Sequence, residues 1–188
     1  MLDFSAVKAK QVSMNEFASS LSIDDMREFT NETVEKMISL IEQCSDSDII
    51  FVPDDPEAND VAACNPHDRT LAWTIGHNVV HATASAEEYA FSAAELARGV
   101  EFHGRSRSEV PWQAIQTVEQ CLHRLEESRR MRLASLEMWP DDPNLDIGYL
   151  PWRESGFVNA KGIFTWGLAH DTDHNHQIRK ILEQARNK

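Results

Sequence analysis

Two pairs of histidines stand four residues apart: His77 with His81, and His170 with His174. On a helix, residues i and i+4 lie on one face, about 6 Å apart along the axis. Two imidazoles so placed can converge on one ion through metal–nitrogen bonds of about 2.0–2.1 Å. With 8 histidines among 188 residues, random placement would yield fewer than one such pair. The spacing therefore points to metal chemistry.

The register of the surrounding residues points the same way. Ile163, Gly167, His170, His174, Ile178 and Ile181 form one stripe at helical spacing, so both histidines face where the core aliphatics face. Trp73, His77, His81 and Glu88 share a face of an earlier segment in the same manner. An imidazole turned into a bundle interior costs a few kcal/mol unless its ring nitrogens find partners. A metal ion is such a partner. His67, His103 and His123 lack this context and read as loop or surface residues.

Four helical segments must carry these side chains. The first runs from Ser22 to Cys44, with Met26, Phe29, Thr33, Met37, Leu40 and Ile41 as its inner face and Ser22 as its cap. The second opens at Asn65-Pro66, a cap followed by a proline whose missing N–H does no harm there, and ends at Arg98 before Gly99. The third extends from Pro111 to Met138, and the fourth from Phe164 to Ala185. Residues 1–20 hold at most a short, weakly patterned helix. Between the first two helices, the apolar run Ile49 to Val52 reads as a short extended piece pinned to the body. Proline and aspartate clusters mark loops over 45–66 and 139–161. The expectation is an all-α four-helix bundle forming a single domain over 1–188.

Composition removes several function classes. The chain is 41% hydrophobic and carries a net charge of −13 with no basic run, which disfavours nucleic acid. No apolar stretch is long enough to span a bilayer, and the first residues lack a secretory pattern. Cys44, Cys64 and Cys121 are odd in number and widely spaced, which suits free thiols and a cytoplasmic location. Glu-x-x-His, His-Glu-x-x-His and Cys-x-x-Cys-His are absent, which sets aside di-iron carboxylate, common zinc-protease and attached-haem chemistry.

Two stretches resemble the DinB-like superfamily, whose members include small-thiol-dependent transferases. They are Trp73-Thr-Ile-Gly-His-Asn-Val-Val-His81 and His170-Asp-Thr-Asp-His174-Asn-His-Gln177-Ile178. The resemblance implies a four-helix bundle, a metal triad of His81, His170 and His174, and a homodimer. His77, one turn before His81, is either a competitor or a fourth ligand. Asn78, Glu88 and Asp173 are candidates to support the ligands. No catalytic side chain is assigned. The loops over 45–66 and 139–161 exceed the family's minimal form, which leaves the substrate open.

Three imidazoles leave a coordination position open, as catalytic zinc sites do. That position can take water, with its pKa lowered to about 7, or a thiolate. The expected function is a metal-dependent hydrolase or thiol S-transferase acting on a small molecule, with a low-molecular-weight thiol as one candidate partner. Zinc or nickel is expected first, with iron also suited to imidazole. The alternative is a non-catalytic metal-binding or stress-associated bundle. The loop carrying Trp152 and Phe157 separates the two: a pocket over the metal favours catalysis, a filled interior a structural role.

Overall fold

The computed structural model describes residues 2–60, 68–105, 110–152 and 155–187. Seven helices appear in order among them: α1 (Ser5–Lys8), α2 (Met14–Ala18), α3 (Ile23–Ile41), α4 (Asp46–Ile49), α5 (Ile75–Ala97), α6 (Val118–Leu136) and α7 (Ala160–Arg186). A two-residue antiparallel pair, β1 (Gly148–Tyr149) with β2 (Val158–Asn159), precedes α7. The fold is all-α, as expected.

Local chemistry explains most boundaries. Ser22 caps α3 and shares a reciprocal capping box with Asp25. Gly99, at φ +83°, follows the end of α5. Four expectations need correction. The second long helix starts at Ile75, with the Thr74 hydroxyl accepting from the His77 N–H at 3.1 Å. Trp73 therefore precedes the helix, and Asn65-Pro66 lies outside the described residues. Pro111 opens only a single 3-10 turn over Trp112–Ala114, and α6 begins after Thr117, which forms a capping box with Gln120. The helix α7 starts at Ala160 because Asn159 caps it by accepting from the Gly162 N–H. The run from Ile49 is not extended: Ile49 ends the short helix α4 and is buried, whereas Ile50 and Val52 are exposed.

The long helices pack in a square. The helix α3 lies against α6 and α7, and α5 lies against the same two. Both α3/α5 and α6/α7 are thus diagonal pairs, although each pair is consecutive among the long helices.

The core is divided along its length. One apolar cluster gathers Phe4, Met14, Met26, Leu136, Phe164 and Leu168; another gathers Val34, Ile41, Ile75, Val79, Leu125 and Ile178. Between them each long helix contributes buried polar groups: Thr30 and Thr33, Thr83 and Glu87, Ser128 and Arg132, Asp171 and Asn175. The Arg132 guanidinium donates to the Asp171 carboxylate across the α6/α7 diagonal, with both side chains 3% exposed. Burial pushes the Asp171 carboxyl up, and the Arg132 charge opposes that push. Arg124 on α6 donates to Glu87 on α5 in the same belt. These four charged groups are tolerated inside because each faces its opposite charge.

Candidate metal centre

The inward histidines sit in this polar belt, on α5 and α7. Helical spacing places His170 and His174 on one face of α7, and the α5/α7 packing brings His81 to them across 89 residues of sequence. That approach is close because Gly167 faces α5, where an added Cβ would lie 3.3 Å from the Tyr89 side chain.

The geometry fits an ion. His170 Nε2 lies 3.3 Å from His81 Nε2 and 3.3 Å from His174 Nε2. One nitrogen from each of the three rings falls within 4.8 Å of the others. Bonds of about 2.0–2.1 Å at tetrahedral angles place neighbouring ligand nitrogens about 3.3–3.4 Å apart. Two of the three nitrogen pairs already stand at that spacing, and the three rings together can hold one divalent cation.

His174 carries its own support. Its Nδ1–H donates to Asn78 Oδ1 at 2.9 Å, and Asn78 Nδ2 donates to the Thr74 carbonyl at 3.0 Å. Because the Asn78 amide nitrogen is engaged by Thr74, its oxygen must face His174. That bond places the proton on Nδ1 and leaves the Nε2 lone pair directed at the cluster. Asn78, expected as a supporting residue, is fully buried and occupies that position.

The other expected residues divide. His77 is not in the three-nitrogen cluster; its ring is stacked between Trp73, at 4.4 Å, and Trp112, at 4.8 Å and 5°. Trp73 folds back from the residue before the cap to reach His81 at 4.5 Å and His174 at 6.0 Å. The Trp112 turn reaches His77 because Gly76 lets the Ile115 carbonyl come where a Cβ would be 2.5 Å away. Asp173 turns outward and pairs with Lys8, with both side chains more than half exposed. It does not support a ligand. Glu88 lines the same cavity as the cluster but accepts two hydrogen bonds from Arg105. His103 is exposed beside Glu95 and His123 is also exposed, as their sequence context implies; His67 lies outside the described residues.

A cavity of about 610 Å³ opens onto His81, His170 and His174. Its walls include Glu88, Tyr89, Phe102, Arg105, Tyr149 and Trp152. Phe102 stacks on Tyr149 at 3.8 Å and 8°, and Trp152 packs edge-on against Trp166. Arg105 and Tyr149 escape a reading of the sequence: Arg105 belongs to an irregular connection and Tyr149 to a strand of two residues, too short for any periodicity to show which way a side chain points. Trp152 does reach the cavity, whereas Phe157 is exposed outside the cavity wall.

Neither Cys44 nor Cys121 joins the histidine cluster. Cys44 and Cys121 are free, and burial pushes their thiols up to about 11 and about 12. Cys64 lies outside the described residues. Among the described residues, no helix is long and apolar enough to cross a membrane.

No curated protein and no solved structure gives a significant match to the chain. A sequence model of the DinB superfamily matches residues 30–178, which runs from the third turn of α3 through α5 and α6 to the Ile178 turn of α7. The polar belt, the three converged histidines and this match over most of the chain agree: the protein belongs to the DinB superfamily.

Proposed function

We propose that His81, His170 and His174 bind one divalent cation and that the site is catalytic, acting on a small molecule as a hydrolase or a thiol S-transferase. The cavity of about 610 Å³ over the three nitrogens carries this reading. A structural zinc ion is normally closed by four protein ligands, whereas a catalytic one keeps a position for a reactant. Among the described residues no further histidine, cysteine or carboxylate joins the cluster. The cavity lies where a reactant would enter.

When bound, the cation would supply Lewis acidity and lower the pKa of a water or a small thiol. The chain's own residues have definable tasks. Asn78 holds His174 in the required tautomer. Trp73 shields the faces of His81 and His174 from solvent. The aromatic side chains of Tyr89, Phe102, Tyr149 and Trp152 give a substrate an apolar bed. Zinc and nickel lead the candidate metals, followed by iron, because neutral imidazole suits all three. The proposal extends to a homodimer, on the strength of the family resemblance, and to the cytoplasm, on the odd number and wide spacing of the cysteines.

Elemental analysis of untagged protein tests the metal. About one equivalent of a transition metal is expected, and each of His81→Ala, His170→Ala and His174→Ala should lose it while His123→Ala keeps it. Metal-loaded protein is then assayed for hydrolysis of small esters and amides and for transfer of a low-molecular-weight thiol to electrophiles. Stoichiometric metal without turnover in either assay would favour the non-catalytic reading.

A further inference from the structure

The far wall of the cavity carries a charged device that metal binding does not use. Glu88 stands seven residues beyond His81 on α5, about 10 Å along the helix axis. Its side chain is only 6% exposed, and it accepts from Arg105 Nε at 2.9 Å and from Arg105 Nη2 at 2.7 Å. The Arg105 side chain is 62% exposed and lines the cavity. A carboxylate gripping one edge of a guanidinium fixes its plane, and Nη1 lies on the other edge. A buried group thus holds an exposed cation at a set place.

We propose that Arg105 recognises a carboxylate at the far end of the substrate, with Glu88 as the positioning residue. The reactive end of that substrate would lie at the histidines, so this inference rests on the catalytic reading above. The two ends are separated by a rise of about 10 Å along α5, and the cavity between them has room for a flat body of ring size. The wall between them is aromatic, with Phe102 stacked on Tyr149 and Trp73 against His81. The Tyr149 phenol, pushed up to about 12 chiefly by burial, stays protonated and adds no competing charge. Asp55 and Asp60 also line the cavity and select against a second negative charge. The substrate class is an aromatic or similarly flat monocarboxylate.

The test uses two probes, para-mercaptomethylbenzoate and its uncharged amide, titrated calorimetrically into zinc-loaded and metal-free protein. Wild type should bind the acid at least about tenfold more tightly than the amide, the effect of one charge-assisted hydrogen bond. Arg105→Gln should reduce that ratio to about one while leaving amide binding unchanged. Glu88→Gln should lower the ratio without abolishing it, and circular dichroism should show both variants folded. Equal binding of acid and amide by wild type would overturn the inference, as would tighter amide binding or a preference that survives Arg105→Gln. Failure of the acid to bind at millimolar concentration, with or without zinc, would overturn it too. Zinc-dependent binding of both probes without an acid preference would sink the Arg105 role and leave the metal centre standing. An acid preference in protein that takes up no zinc would do the reverse.

Discussion

Replacing Asn78 gives the sharpest test of how the centre is organised. Asn78→Leu keeps the branched heavy-atom shape of the side chain and removes two hydrogen bonds, to His174 Nδ1 at 2.9 Å and to the Thr74 carbonyl at 3.0 Å. The Thr74 carbonyl keeps its bond from the Asn78 backbone N–H at 3.0 Å, so the group left unsatisfied is the buried His174 Nδ1–H, at about 1–3 kcal/mol. Folding stability without metal should therefore fall by about 1–3 kcal/mol. The effect on metal is separable. Once the Nδ1 proton loses its acceptor, the ring can present the wrong tautomer to the cluster, and loss of such a support typically weakens metal binding 10- to 100-fold. Asn78→Asp keeps an acceptor for Nδ1 but gives up the donor to Thr74. It should hold zinc as well as wild type or better while still losing stability. Competition with a chromophoric chelator reads the affinity, and urea unfolding of metal-free protein reads the stability. If the Leu and Asp variants lose zinc affinity equally, the hydrogen bond to His174 is not what prepares the ligand.

Three further outcomes are expected. Arg132→Met should destabilise the fold by about 3–5 kcal/mol by leaving Asp171 charged and buried, and adding Asp171→Leu should recover most of it; a double-mutant cycle in urea checks this. The Cys121 thiol rises from 9.0 to about 12 on folding, so its contribution is complete below pH 9 and is lost as pH climbs toward 12. Cys121→Ala should flatten the alkaline fall in melting temperature by up to about 4 kcal/mol in equivalent stability, and an unchanged profile would refute the assignment. Gly148→Ala would place a Cβ 2.2 Å from the Val158 carbonyl oxygen and must separate β1 from β2. Proteolysis within 145–152 should accelerate in that variant while metal content stays that of wild type, because the three histidines stand on α5 and α7.

Much of this protein was legible in the order of its residues because helix periodicity is a local property. The stripe through Ile163, His170, His174 and Ile178 needed only 3.6 residues per turn to be seen as inward-facing, and His174 is indeed buried there. The Ser22 cap depended on a bond spanning three residues, so it too could be read from the chain alone. Tertiary structure decided what no local rule reaches. The diagonal order of the long helices set which faces meet, and so brought His81 to His170. Packing of the Trp112 turn on Gly76 put His77 between two indoles, although its spacing from His81 was as suitable for a metal as that of His170 from His174. Asn78 acquired its task from α7, and Glu88 acquired its partner from an irregular loop. Side chains from separate elements meet according to the crossing and register of whole helices, which the packing of the entire core determines rather than any short stretch of sequence.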